Sequence, residues 1–384
     1  MKNILGVVAE YDPFHRGHEK HLRLARERVQ PDFTYVALSG CFKQRGEPAL
    51  LSPYDRAACA LAAGVDAVFC LPTVWTLRDA EHYALGAVSL LAGLGATHLA
   101  FGAETADLAG LRAAAELLEK PAAALRDALR QRLRQGEGYP RAMENAMAET
   151  RPDLGALLRA PNNTLAICYL RAMLRLDAEM EPVLIPRSGD YHAAEISPEN
   201  PSASAIRQAL ARGDYGGAFA AVPAESARRI REAMLARRTP SEKTMDAILI
   251  HTLRTMPREQ AVRLPDLSEG LEDRVLRAAR EAGGREALLT AACASRYPRA
   301  RISRLCAWAM LGGTAETVER APLPRETLLL GLRRNTEMSG LWRDGKIRIH
   351  ASLKDMPPDP AWDLWAQCAG LPAGWFYRQR VVTV

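Results

Sequence analysis

Three of the eight histidines in this chain stand at 15, 18 and 21, just past the apolar run Ile4 to Ala9. His18, Leu22, Ala25 and Val29 repeat at steps of 4, 3 and 4, which is one face of a helix. The spacing predicts a helix over 18–29, with His18 in its first turn and His15 just before it. A helix start carries unpaired N–H groups and partial positive charge, which suit an anion. Two imidazoles there add donors that can follow charge as it grows on a phosphate. Gly17, with no side chain, lets a ligand approach the backbone. Two other readings use the same residues: a histidine-rich helix start with no ligand, and chelation of a metal by His15 and His18. Chelation needs a third ligand, and no cysteine stands near in the sequence.

Imidazoles at a helix start do chemistry only if a scaffold presents them. Short apolar runs over 4–9, 33–38, 67–71, 98–101 and 182–185 read as buried strands. Helical patterns over 18–29, 54–63, 80–94, 107–134 and 164–178 alternate with them. That alternation predicts an α/β fold, a parallel sheet with helices on both faces. Ligands of such sheets bind beyond the carboxyl ends of the strands. After about residue 200 helical patterns dominate, over 203–212, 216–236, 242–254, 271–282, 285–293 and 302–311. The stretch Arg237-Arg238-Thr239-Pro240-Ser241 marks a boundary, giving one domain over 1–238 and a mainly helical one over 239–384. Four tryptophans, 342, 362, 365 and 375, gather in the tail, with short strands expected at 347–350 and 381–384.

Composition narrows the function classes. At 384 residues, 48% hydrophobic and 25% charged, the chain is that of a folded protein with a sizeable core. A net charge of +6 permits a nucleic-acid or polyphosphate partner without demanding one. The seven cysteines are odd in number and form no C-x-x-C pair, against a disulfide framework or a zinc ribbon. The apolar run after Asn3 is too short for a secretory signal. The longest uncharged stretch, Tyr83 to Thr97, is too short to cross a bilayer. A cytoplasmic protein with no membrane partner and no protein metal site is expected.

Other loops carry chemistry of their own. Ser39 to Glu47 follows the second strand and faces the same crevice, and there Gln44, Arg45 and Glu47 crowd together. Arg45 can pair a carboxylate or phosphate through its planar fork, though a plain surface loop has the same composition. Lys20 and Lys43 add positive charge nearby. Asn162 opens a helix after Pro161 and suits a plain cap. Ser202, Ser204 and Arg207 sit at another helix start, where capping and phosphate contact are alternatives. Arg237, Arg238, Lys243 and the run Arg296, Arg299, Arg301, Arg304 make the second half basic. With Tyr297 interleaved, that run suits RNA phosphates and a stacked base, or merely a solvated face.

The segment Asp12-Pro-Phe-His-Arg-Gly-His18 resembles the H-x-G-H signature of the nucleotidyltransferase superfamily. The wider order resembles the bacterial tRNA(Met) cytidine acetate ligase family. It runs from Gly6 to His18 and from Ser39 to Ala49, then through Gly64-Val-Asp66, Leu71-Pro72, Phe101-Gly-Ala-Glu104, Pro161-Asn-Asn163 and Ser202 to Arg207. Glu269-Gly-Leu-Glu272 and Ser295 to Arg301 continue it into the second half. The resemblance implies a Rossmann-like nucleotidyltransferase domain and a tRNA-binding role for the helical part. It implies that acetate is activated by ATP as acetyl-adenylate, then transferred to N4 of the wobble cytidine (C34) of elongator tRNA(Met).

The same resemblance implies which residues act. His15 and His18 would be catalytic, stabilising charge on the triphosphate. ATP contacts are implied at Val7, Val8, Ala9, Glu10, Tyr11, Asp12, Pro13, Phe14, His15, Arg16, Gly17, His18, Glu19 and Lys20. Gly102, taken to follow the fourth strand, Asn162, and Arg187 with Ser188 after the fifth strand are implied contacts too. Ser202, Ser204 and Arg207 would meet the outer phosphates, with an Ala at one expected hydroxyl position. Gln44, Arg45 and Glu47 are candidates for acetate or loop contacts. Mg²⁺ would ride on the phosphates. Cys41 departs from the family, which usually has Asn there, and is either a reactive thiol or a small buried residue. An adenylyltransferase making a nucleotide cofactor and a non-catalytic RNA-binding protein are the alternatives.

Overall fold

The computed structural model describes residues 2–187, 201–267, 270–334, 336 and 346–384. Ser188, Glu269 and Trp342 therefore lie outside the described residues. Five strands run parallel: β1 (Ile4–Ala9), β2 (Phe33–Ser39), β3 (Ala67–Leu71), β4 (His98–Ala103) and β5 (Glu181–Pro186). Their cores are almost wholly apolar, as strands covered on both faces must be. The spatial order is β5-β4-β1-β2-β3. The chain leaves β1 for β2 on one side and returns to β4 on the other. The switch point thus lies between β1 and β4, where such sheets open a crevice.

The sheet does not stop at β3. β6 (Glu326–Leu332) pairs antiparallel with β3, and β7 (Arg348–His350) and β8 (Val382–Thr383) pair parallel with β6. The strands expected in the tail thus join this sheet, one to two residues shorter than expected. β6 has no counterpart in the sequence reading. The chain after 238 contributes both a helical lobe and three strands of the sheet. Trp362, Trp365 and Phe376 from the tail pack together against Tyr54.

Helix α1 (Arg16–Val29) follows β1, and α2 (Pro53–Ala62) lies between β2 and β3. The helix expected over 107–134 is two, Leu108–Glu119 and Ala123–Arg134. Pro121 breaks it by forcing Lys120 out of the helical region. Pro223 similarly splits 216–236 into Tyr215–Ala220 and Ala224–Leu235. Two helices start three residues earlier than expected, Pro161–Arg175 and Arg299–Leu311, each with a proline at its start. A helix at Tyr139–Thr150 was not anticipated.

The helical lobe has its own apolar centre, with Leu249, Leu271, Leu288, Ile302 and Leu305 buried together. It is fastened to the strand-end loops: Trp308 donates its indole N–H to the Leu77 carbonyl (2.9 Å), and Ser303 Oγ donates to that of Arg45 (2.5 Å). Among the described residues no helix is long and apolar enough to cross a membrane.

Candidate active site

Beyond the carboxyl ends of β1, β4 and β5 lies a cleft of about 1030 Å³. His15 and His18 line it, and the two form an unusual helix start. His15 is the N-cap of α1, in extended conformation, and its Nδ1 accepts the Gly17 N–H (3.1 Å). His18 reaches back, its Nδ1 accepting the His15 N–H (3.3 Å). This is a capping box built from two imidazoles. The rings stack at 3.6 Å between centroids, and Tyr11 packs on His18 at 4.9 Å.

An Nδ1 that accepts a backbone N–H carries no proton, so each neutral ring holds its proton on Nε2. Protonating either ring would break its cap bond. Burial, then the charges of Arg187 and Arg207, push His15 down to about 3. Burial, then His15, Arg187 and His21, hold His18 well below the usual histidine range. His21, one turn on, is pushed down to about 4 by burial and Arg187. The site therefore presents neutral N–H donors at pH 7.

The first turn of α1 corrects one expectation. Its amide groups are not left for an anion. Arg16 N–H donates to the Ala221 carbonyl (3.0 Å), Gly17 N–H to His15 Nδ1, and His18 and Glu19 N–H to the His15 carbonyl. Anion recognition at this end falls to side chains.

Around the imidazoles the charges are tied to one another. Asp12 is 2% exposed. Its carboxylate accepts the Leu50 N–H (2.6 Å) and lies 3.3 Å from both Lys43 Nζ and Arg207 Nη1. Arg207 also donates to the Asp12 carbonyl. Burial alone would raise the Asp12 carboxyl, but Lys43, Arg207 and Arg56 outweigh it and hold it below the ordinary range. Lys43 continues to Glu47 (2.6 Å) and Glu47 to Arg285 of the helical lobe (3.3 Å). Burial works against the Glu47 charge, yet Lys43 and Arg285 bring its carboxyl down to about 2. Asp12 thus positions Lys43 and Arg207. Glu10 differs: its Oε1 accepts the Gln44 N–H (2.6 Å), and burial raises its carboxyl despite that bond and Lys43.

A fully buried arginine, missed in the sequence, holds these loops. Arg56 of α2 donates to the carbonyls of Leu51 (3.1 Å), Glu10 (2.6 Å), Ser39 (3.0 Å) and Gly40. It thereby joins the ends of β1 and β2. No sequence pattern announces it, because its partners are backbone atoms.

At the other side Glu104 caps the helix Pro161–Arg175, accepting N–H groups of Asn162 (3.2 Å) and Asn163 (2.9 Å). Asn162 is not the plain cap its position suggested. Its side chain donates to Glu104 (2.6 Å) and accepts from Arg187 (2.9 Å). Gly102 lies inside β4, opposite Ile185, and not after the strand. A Cβ there would stand 3.0 Å from Arg187 Cδ, so the missing side chain makes room for that arginine. Ser202 caps its helix by accepting the Ala205 N–H (3.1 Å), and Arg207 donates to Ser204 Oγ (3.3 Å).

Of the expected contacts, Val7 to Asp12, His15, Gly17, His18, Lys20, Gly102, Asn162, Arg187, Ser202, Ser204 and Arg207 line the cleft, with Gln44, Arg45 and Glu47. Pro13, Phe14, Arg16 and Glu19 do not. Pro13 and Phe14 are buried, and Arg16 turns to the Ala220 carbonyl (2.9 Å). Ser188 lies outside the described residues. Cys41 is buried, and burial pushes its thiol well above the usual range, so a reactive thiol is ruled against. Among the described residues no three His, Cys, Asp or Glu come together to hold a metal ion.

The second wall of the cleft is a loop and two helix starts of the second half: Thr239 to Glu242, Met245, Asp246, Arg285 and Glu286. None of the four members of the arginine run lines the cleft, although Arg299 pairs with Glu286, which does. Arg304 is buried, with its guanidinium on Asp266 (2.9 Å), so it is framework and not a free RNA contact. Arg301 donates to the Asp266 carbonyl (2.8 Å), and Arg299 pairs with Glu286 at the surface. Arg296 is exposed, 6.0 Å from the Tyr297 ring.

Comparison with known proteins agrees with this architecture. Residues 1–339 match the family model described as HIGH Nucleotidyl Transferase. A tRNA(Met) cytidine acetate ligase of Syntrophomonas wolfei is 36% identical over 324 residues, covering 82% of this chain and 78% of its own. Two crystal structures of Thermotoga maritima TmcAL are similar over the full length of both chains at 27% identity. The apo form I superimposes with a TM-score of 0.92, and form II, bound with alpha-thio ATP, with 0.88.

Proposed function

Because this chain belongs to the HIGH nucleotidyl transferase family, and within it to the tRNA(Met) cytidine acetate ligases, we propose that it activates acetate on ATP and acetylates N4 of the wobble cytidine (C34) of elongator tRNA(Met). The observation that carries the reading is the stacked, neutral imidazole pair at the sheet's switch point.

ATP lies across the strand ends with its triphosphate toward His15 and His18. Their Nε2–H groups donate to phosphate oxygens, while Arg187 and Arg207 supply positive charge. An acetate oxygen attacks the α-phosphorus in line. The bond to the β-phosphate oxygen breaks and pyrophosphate leaves. In the second step N4 of the cytidine attacks the acetyl carbon, the carbon–oxygen bond to AMP breaks, and the amine loses a proton. Donors fixed in advance are worth most where charge develops. The backbone bonds on both Nδ1 atoms provide that fixing. Magnesium would come bound to the triphosphate and add positive charge to its oxygens. The wall from Thr239 to Asp246 faces the strand ends and gives the cytidine a side from which to enter. A cytoplasmic place follows from the tRNA substrate.

The test is acetate-dependent exchange of pyrophosphate into ATP, without tRNA. Replacing His15 or His18 by Ala removes one preset donor and is expected to cost roughly 10²–10³ in rate. Near-normal exchange in both variants overturns the role of the pair. Exchange that requires a phosphorylated nucleotide precursor instead of acetate supports the cofactor-making alternative.

A further inference from the structure

In the arginine run at 296–304, Arg304 and Arg299 are paired and Arg301 is bound to a carbonyl, while a different surface offers an aromatic face beside the cleft. Tyr215 begins the short helix Tyr215–Ala220 and is 47% exposed. Its ring lies nearly parallel to Phe219, 6.2 Å between centroids at 20°. The Arg231 guanidinium, from the helix Ala224–Leu235, sits over Phe219 at 4.8 Å. Phe219 is anchored below on a buried cluster that includes Ile206, Leu210 and Ile230. We propose that this Tyr215–Phe219–Arg231 face is a stacking platform for unpaired nucleotides flanking the target base, an inference that rests on the tRNA reading above.

Three observations support it. First, stacking on aromatic rings and on guanidinium planes is how single-stranded RNA is held. Second, the platform hangs directly on the catalytic helix. The carbonyls of Ala220 and Ala221 accept the side chain and backbone N–H of Arg16, one residue before Gly17. At 1.5 Å per helical residue, Tyr215 stands about 8 Å along the axis from that anchor. Two or three stacked nucleotides, at roughly 3.4 Å each, span that distance. Third, the local charge is complementary to a phosphate backbone. Glu225 and Glu232 are engaged by Arg228, and Glu225 also by Arg229. Asp214 caps its own helix. Arg16, Arg212 and Arg231 are exposed and take part in no ion pair among the described residues.

The experiment measures binding of the full chain to elongator tRNA(Met) over a salt series, beside exchange of pyrophosphate without tRNA. Tyr215→Ala should weaken binding by about tenfold, the size of one lost base stack. Tyr215→Trp should restore it. Arg231→Gln should weaken binding and lower the salt slope by about 1. Exchange should be unchanged in all three. Wild-type affinity in Tyr215→Ala overturns the platform. So does a parallel loss of exchange, which would mark the face as structural. A change of oligomeric state without a change of affinity overturns it in favour of self-association. If the wild-type chain binds no tRNA while exchanging pyrophosphate, the tRNA reading itself fails, a result distinct from failure of the platform.

Discussion

The strand-end wall of the cleft and the arginine-bearing helix Arg299–Leu311 are both rich in charge, yet they use it in opposite ways. At the strand ends, Asp12, Lys43, Glu47 and Arg56 are committed to each other, to Arg207 or to carbonyls, and the histidines are stripped of charge. What faces the ligand is a small set of oriented donors. On the helix, charge grades from buried Arg304 to exposed Arg299 within two turns. Burial with a partner turns an ionic side chain into framework. Exposure leaves it for long-range attraction, which salt screens. Counting charges along the sequence does not separate the two uses.

Arg56 tests the framework half most severely. Replacing it by Met removes donors to four carbonyls, those of Ser39, Gly40 and Leu51 buried and that of Glu10 partly so. The expected loss is about 3–5 kcal/mol of folding stability, read from the urea midpoint, with exchange lost alongside. Arg56→Lys keeps the charge but reaches fewer carbonyls, so it should fall between. A wild-type midpoint in Arg56→Met would mean the strand ends are held by something else.

Acid separates the imidazoles from the carboxylates. Unfolded histidines take up protons below about 6.5, whereas His15, His18 and His21 resist protonation until far lower. The unfolded state binds more protons in that window, so stability falls as pH drops. Between pH 7.5 and 5.5 each ring should cost about 1.4 kcal/mol. His21→Gln should remove one ring's share of the slope. Glu47 acts lower. Its carboxyl sits at about 2, so its contribution is full above the ordinary carboxylate range and fades as pH falls toward that value. Exchange per folded molecule should show no step near 6.5. A step there would mean that the rings work as imidazolium, against the capping geometry.

Much of this was legible in the sequence, and the gaps have a common cause. β1 and β3 fall on the expected residues because apolar runs bounded by turns are local signals. The imidazole pair was legible because its spacing sits on a helical face directly after β1. β6 was not, since its partner β3 lies about 260 residues earlier and nothing local distinguishes its run. Asp266, 38 residues before Arg304, could not be matched to it by spacing. The Arg56 bonds go to main-chain oxygens, which every residue has. Even the free amides expected at α1 were consumed by contacts to Ala221 and to the His15 ring. Partners remote in sequence, or without a side-chain signature, decide what each group is left to do.

The smallest effect is the sharpest probe of the exposed half. Arg299 pairs with Glu286 at the surface, where an ion pair contributes roughly 0–1 kcal/mol. Arg299→Gln should therefore leave the urea midpoint nearly unchanged. If the helix faces RNA, tRNA affinity should drop a few-fold and the slope of log affinity against log salt should shrink by about 1. Arg304→Gln is the matched control on the same helix. It leaves half-exposed Asp266 without its partner and puts a shorter, neutral amide in the buried arginine's place, so the midpoint should fall while the salt slope stays as it was. Should both variants keep the wild-type salt slope, the helix carries no phosphate contact at Arg299, and attraction of RNA must come from Arg16, Arg212 and Arg231 beside the cleft. Should Arg304→Gln alone flatten the slope, the buried side chain would have to turn outward when RNA binds, and the contrast between the two regions would not hold.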